Sequence, residues 1–174
     1  MIKGRHVSLH TLEETHLEDV YHILMNDDIG NCFSTTYQEI RFGGLVEFLY
    51  TTEPGTNSKA FTIVHEDKNI GFVTLNNIHP IRRSAYIGIV GISPKDQNGM
   101  HGVDALRTLI RYSFDILNLR RLYSHTFGDN TKMKSLYKLG GWTLEGTERE
   151  YTYRNGEWLD KEIWAVLRSE YKEK

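Results

Sequence analysis

"IVGISPKDQNGMHGVDALRTL", residues 89–109, decides how the rest of the chain is read. A β-branched run gives way to a polar, glycine-bearing turn, and the turn opens directly into an amphipathic helix. Such a junction leaves unpaired N–H groups and the positive end of the helix dipole facing outward, which suits a phosphate. Gly99 and Gly102 bracket the junction, with Met100 between them. The spacing is that of neither well-known phosphate loop: no Lys-Ser/Thr pair follows the second glycine, and there is no Gly-x-Gly-x-x-Gly run. Taken alone, the turn is explained equally well as a plain strand-to-helix connection.

Working outward, "SAYIGIVGIS" (84–93) is a strand carrying Gly88 and Gly91. Interior glycines mark a bulge or a close approach to the backbone, or else simply weaken the strand. "KAFTIVHEDKNIGFVTLNNI" (59–78) reads as a hairpin around a polar turn. Nearer the start, "HVSLHTL" (6–12) alternates like an edge strand, and "THLEDVYHIL" (15–24) gathers Leu17, Val20, Tyr21 and Leu24 on one helical face. Thr15 and Glu18 have capping-box spacing at its start. A weaker helix is expected within 37–50, interrupted by Gly43 and Gly44.

Downstream, Leu106, Leu109, Ile110, Phe114 and Leu117 make one continuous apolar stripe. "RRLYSHTF" (120–127) is the next strand, and "DNTKMKSLYKLGG" (129–141) a short helix. Asn130 is its expected N-cap and Gly140 its stop, with Met133, Leu136 and Tyr137 on one face. "EREYTYRNGEWLDKEIWAVL" (148–167) is two strands about the hairpin turn Asn155-Gly156. No linker, repeat or low-complexity block interrupts residues 1–174, so one α/β (α+β) domain is expected.

Composition narrows the function classes. The chain of 174 residues is 39% hydrophobic and 25% charged, the balance of a soluble globular protein. A net charge of −2 gives no basic face for nucleic acid, and no run is long enough to span a membrane, so neither partner is expected. Cys32 is the only cysteine and cannot form an internal disulfide; with no apolar leader at the N-terminus, the expected location is cytoplasmic. Eight scattered histidines show no metal-ligand spacing, so no metal is expected. A hydrolase is disfavoured: there is no Gly-x-Ser-x-Gly elbow, and nothing local marks Cys32 as a nucleophile.

The stretch from Arg82 to Trp142 resembles the core of the GNAT superfamily of acyl-CoA N-acyltransferases. In style it is similar to the branch holding ribosomal-protein N-terminal acetyltransferases and spermidine N-acetyltransferases. "LHTLEETHLEDVYHILMND" (9–27) is similar to that branch's opening strand and helix, and 148–167 to its closing hairpin. The resemblance implies a mixed, mostly antiparallel sheet flanked by helices, with a splayed central strand pair. It also implies acetyl-CoA as co-substrate and transfer of an acetyl group by direct attack in a ternary complex. The acceptor is a primary amine of a small molecule (polyamine, amino sugar or antibiotic) or a protein N-terminus.

Residue by residue, the family's Gln/Arg-x-x-Gly-x-Gly/Ala pyrophosphate loop falls on Gln97, Asn98, Gly99, Met100, His101 and Gly102. The strand that pairs with pantetheine falls on Ile89, Val90, Gly91 and Ile92. The asparagine on the pantetheine arm falls on Asn130, and the tyrosine that protonates the departing thiolate on Tyr137. Without the resemblance, Tyr137 reads as a core tyrosine of an amphipathic helix.

Two departures matter. Met100 replaces the inner glycine of the loop, which is costly only if the position needs positive φ or the side chain faces the ligand. Near Tyr86, where many relatives carry a strand glutamate, "RRSAYIGIV" has no carboxylate. The base is therefore open: His125 is a candidate because histidine titrates near neutrality, although its place in the alternation of the strand suits a solvated or core position equally; Tyr86 is placed to orient substrate, and Glu145 lies near the following turn. A competing function is a catalytically silent acyl-CoA-binding or protein-interaction module in which Met100 closes the loop. A homodimer is the generic expectation for assembly.

Overall fold

Turn chemistry sets the frame of the sheet in the computed structural model, which describes residues 1–32, 37–50, 53–97 and 100–172. Glu66 and Asp67 both take positive φ (47° and 59°), as do Asn155 and Gly156 (51° and 88°). Two consecutive left-handed residues match the twist of antiparallel strands, so each pair closes a hairpin. The described strands are β1 (Ile2–Lys3), β2 (Ser8–Thr11), β3 (Asn57–His65), β4 (Lys68–His79), β5 (Ser84–Ile92), β6 (Arg121–Phe127), β7 (Thr143–Arg154) and β8 (Glu157–Leu167). They form one sheet in the order β1-β2-β3-β4-β5-β6-β8-β7.

Every neighbouring pair is antiparallel except β5 and β6. These two run parallel and pair only at Ser84–Arg121, Ala85–Leu122 and Tyr86–Tyr123. Beyond Tyr86 they separate, which is the splayed central pair that the resemblance implies. Parallel neighbours need a crossover, and helix α4 (His101–Arg111) supplies it.

Helices cover both faces of the central strands. On one side α4 and α5 (Thr131–Leu139) pack against Ile63, Val73, Leu75, Ile87 and Leu122. On the other, α1 (Leu17–Leu24), the single turn α2 (Asp27–Gly30) and α3 (Leu45–Leu49) bury Val20, Leu24, Leu45 and Leu49 against Ala60 and Phe72. With both faces covered, Ile70 to Asn76 is a continuous buried run, whereas β7 at the sheet edge is almost wholly exposed.

Several local expectations are corrected. Thr15 does not cap the first helix; Glu13 and His16 form a reciprocal box around a 3₁₀ turn, Glu14–His16, that leads into α1. Glu13, two residues before Thr15, caps the His16 amide instead, so the helical path begins sooner. The 37–50 segment is two 3₁₀ turns followed by the five-residue α3, with Gly43 and Gly44 lying before it rather than inside it. The stripe from Leu106 to Leu117 is regular α-helix only to Arg111; Tyr112–Ile116 is a π-turn, where Ser113 donates its hydroxyl to the Leu109 carbonyl at 2.7 Å. The stop of α5 is where it was expected: the helix ends at Leu139 with Gly140 as its C-cap (φ −80°), and Gly141 follows in the left-handed position (φ +76°). Among the described residues, no helix is long and apolar enough to cross a membrane.

Candidate active site

The cleft begins where β5 leaves β6. Opposite it, Val73 faces Val90 and Leu75 faces Ile87, so Gly88 and Ile89 together oppose Thr74 alone. This is a bulge, and Thr74 closes it by accepting the Ile89 amide on its hydroxyl at 3.1 Å. A Cβ on Gly88 would lie 2.3 Å from that hydroxyl, and one on Gly91 would lie 2.8 Å from the Phe72 ring. Both strand glycines are thus sites of close approach, not mere weakening. Ile89, Val90 and Ile92 line a mostly apolar cavity of about 480 Å³, while Gly91 turns toward Phe72.

The N-terminus of α4 forms one end of this cavity. Met100 is its N-cap, with φ −103° and ψ −22°, an ordinary conformation for a residue with a side chain. It is 47% exposed and does not line the cavity, so it neither needs to be glycine nor blocks the space. Gly102 does line it; a Cβ there would meet Ile92 and Leu136 at ordinary contact distances, 3.5 and 3.8 Å. Gln97 bridges the walls, donating to the Ile92 carbonyl at 3.0 Å and accepting from the Lys132 ammonium at 3.1 Å. The His101 side chain is bonded to the Asp96 carbonyl and packed on His65, so it is through its backbone that His101 belongs to the loop. Asn98 and Gly99 lie outside the described residues.

Helix α5 supplies the facing wall. Asn130 caps it through Oδ1, which accepts the Met133 amide at 3.0 Å, so only its amide NH₂ is left to address the cavity that it lines. Two turns on, Tyr137 is 1% exposed and packed between Trp142 and Trp164, with ring centroids 4.9 and 5.5 Å away. Its hydroxyl donates to Ser124 Oγ at 2.7 Å, and Ser124 donates to the Ile87 carbonyl at 2.6 Å. Burial pushes the phenol pKa well up, with Ser124 acting weakly against it, so the proton stays on the oxygen at neutral pH. Tyr137 is therefore a core residue and a cavity residue at once.

His125, on β6, faces a second cavity of about 550 Å³ as well as the first. Its ring stacks on Tyr86 with centroids 5.1 Å apart, and the Tyr86 hydroxyl lies 3.0 Å from Nδ1. The ring edge of His125 is exposed, yet hydration lost on the side facing the cleft, with the Lys161 ammonium adding to it, pushes the imidazole pKa down to about 4. Burial likewise raises the pKa of Tyr86. Glu145 is not in either cavity; Arg121 holds it with bonds of 2.6 and 2.5 Å and keeps its carboxyl below the usual range, which removes it as a candidate base.

The two cavities share Cys32, Gly88, Ile89, His125 and Thr126 as walls, so they meet at the point of splay. Thr126 is 3% exposed, and its hydroxyl has no hydrogen-bond partner among the described residues. A buried hydroxyl at that meeting point is open to a hydrogen bond from a ligand or a water. Thr126, Lys132, Ser124 and Thr74 were missed from sequence; the alternation of β6 flags Ser124 and Thr126 only once the positions of α5 and β5 are known.

Known proteins share this fold. The sequence profile of the family described as acetyltransferase (GNAT) domain matches residues 9–164. The chain belongs to the GNAT acetyltransferase family. The spermidine N(1)-acetyltransferase of Vibrio cholerae serotype O1 is 32% identical over 168 residues, 95% of each chain. The ribosomal-protein-serine acetyltransferase of Escherichia coli K12 is 23% identical over 92% of each. A crystal structure of spermidine N-acetyltransferase from Vibrio cholerae in complex with CoA and spermine superposes with a TM-score of 0.82, at 29% identity, covering 95% of this chain and 98% of that one.

As a GNAT protein the chain is an acetyl-CoA-dependent N-acetyltransferase. The cleft fits that cofactor: the edge of β5 beyond Tyr86 has no strand partner on the β6 side, α4 presents its N-terminus, and the Thr126 hydroxyl is open to a hydrogen bond. Ile89 to Ile92, the first turn of α4 and Asn130 are the residues that would hold it. When bound, it supplies an acetyl group activated as a thioester.

Proposed function

We propose that this GNAT enzyme acetylates a polyamine-class small molecule in the cytoplasm, the amine entering by the second cavity while the thioester lies in the first. One observation carries the reading: the two cavities are lined by different elements but share walls at Gly88–Ile89 and His125–Thr126. Two substrates can thus be held at once and react without a covalent enzyme intermediate. The second cavity also bears the Glu53 carboxylate, bonded by the Asn77 amide and 3.9 Å from the Arg82 guanidinium, an exposed and weak pair in which a remote ammonium of an extended polyamine would take the place of Arg82. The likeness to a spermidine acetyltransferase over nearly the whole of both chains supports the same class.

Within this reading Tyr137 is the general acid. Its Oη keeps a proton for the departing sulfur, and Ser124 can turn its own hydroxyl from the Ile87 carbonyl to stabilise the resulting phenolate. His125 is too weakly basic to hold the proton of an amine whose pKa is about 10. With Tyr86 it orients the neutral amine as an acceptor, and the amine's proton leaves through water in the open second cavity. Thr126 Oγ, buried at the junction, anchors a polar group of the reacting pair.

An acceptor panel with thiol-release detection tests the class. The expected order of kcat/KM is spermidine or spermine first, then amino sugars, then a peptide with a free N-terminus. Glu53→Gln should raise KM for spermidine about tenfold, roughly 1.4 kcal/mol, with kcat unchanged. Preference for the peptide, or indifference of KM to Glu53, would overturn the polyamine reading and leave the acetyltransferase one standing.

A further inference from the structure

A third cavity, of about 690 Å³, lies on the far side of Leu139, which also lines the cofactor cavity. Its walls come from four separate parts of the chain: Arg5 before β2, Arg107 and Arg111 on α4, Lys138 at the end of α5, and Lys172 beyond β8. Five cations line it in a chain whose net charge is −2, one of them, Arg111, donating to the Lys3 carbonyl. Two carboxylates share the wall, and both are engaged by backbone. Asp104 accepts the amides of Arg5, His6 and Val7 at 3.1, 2.6 and 2.9 Å, and Glu170 accepts that of Leu167 at 3.1 Å.

Arg5, Arg107, Lys138 and Lys172 form no ion pair among the described residues. Lys138 has a structural reason to be there, since a cation in the last turn of a helix complements its carbonyl end. Arg5, Arg107 and Lys172 have no such reason. A Cβ on Gly4 would lie 2.5 Å from Thr108 Oγ1 and 2.6 Å from Asp104 Oδ2, so the chain start is pressed against α4 and carries Arg5 to the rim. Like charges gathered along one concave wall repel one another and focus a positive potential that an anion relieves. Guanidinium forks match phosphate oxygens in pairs, which ammonium groups alone do not.

We infer that this cavity is a second anion site, built for a multiply charged phosphate ligand. Two sources offer that chemistry: the phosphate on the ribose of coenzyme A, reaching past Leu139, or a separate nucleotide or polyphosphate. The site does not depend on the identity of the amine acceptor.

Calorimetry of the full chain with inorganic tripolyphosphate, at low and at 0.3 M salt, tests it. The parent should bind in a salt-sensitive manner, and both Arg107→Gln/Lys138→Gln and Arg5→Gln/Lys172→Gln should lose about tenfold or more in affinity while keeping the parent's circular dichroism. If the cofactor is the source, the variants also bind acetyl-CoA more weakly but bind its 3′-dephospho form as the parent does. If a separate ligand is the source, tripolyphosphate binding persists at saturating acetyl-CoA, and acetyl-CoA affinity is unaltered in the variants. Absence of tripolyphosphate binding at low salt, or equal binding by parent and both variants, overturns the site. Thiol release with polyamines, measured alongside, reports on the acetyltransferase reading independently.

Discussion

At the scale of single residues, Tyr137 and His125 illustrate how one cleft sets two titratable groups to different tasks. Tyr137 is walled by two tryptophans and donates to Ser124, so its phenol stays protonated across the physiological range. Tyr137→Phe removes that proton and little else. The expected loss in kcat is on the order of 10²–10⁴-fold, the usual share of a general acid. Acetyl-CoA affinity should be nearly unchanged, and stability should fall by about 1 kcal/mol for the lost bond to Ser124. Thiol release, calorimetry and urea unfolding separate the three; undiminished turnover would dismiss Tyr137 as the acid. For His125 the folded state favours the neutral ring, so the unfolded chain takes up its proton first as pH falls from about 6.5 towards 4. This residue's contribution to stability is therefore present at neutral pH and declines through that window. A histidine Cε1–H resonance with its midpoint near 4, assigned by loss in His125→Asn, is the expected signature. A midpoint between 6 and 7 would restore the imidazole as a base.

At the scale of elements, α5 couples its own stability to the cofactor through one side chain. Asn130 spends its carbonyl on the Met133 amide and has its NH₂ for the cavity. Asn130→Asp keeps a cap acceptor and loses the donor; Asn130→Ala loses both. The aspartate variant should unfold at the parent's urea midpoint yet bind acetyl-CoA several-fold more weakly, while the alanine variant should lose about 1 kcal/mol in addition. Equal cofactor affinity in all three would confine Asn130 to capping. This cap was legible in sequence because Asn at the start of a periodic run has few other uses. The cap of the first helix was not, since Glu13 and Thr15 each offer an oxygen in reach and only the packed chain chooses between them. The stop of α5 at Gly140 was legible; that the left-handed turn falls to Gly141 was not. Gly88 and Gly91 were visible as anomalies in a strand, but what presses on them, Thr74 and the Phe72 ring, belongs to a neighbouring strand.

For the whole molecule, local order carried the elements and the family resemblance carried their assembly; alternation alone cannot say that β5 and β6 pair for three residues and then part. That parting creates two cavities with a common wall, and residues such as Thr126 and Glu53 gain meaning only there. The geometry makes a kinetic prediction. Two substrates held together should give intersecting double-reciprocal lines when acetyl-CoA and spermidine are varied against each other. A route through an acylated enzyme would give parallel lines instead, and Cys32 is the one thiol at the shared wall. Its chemistry argues against that route: the thiol donates to the Asp28 carbonyl at 3.1 Å, and burial pushes its pKa up, so little thiolate is present at neutral pH. Cys32→Ser should therefore retain turnover within about twofold and keep the intersecting pattern. Parallel lines in the parent, together with loss of activity in the serine variant and a mass increase of one acetyl group on Cys32, would replace direct transfer with a two-step mechanism.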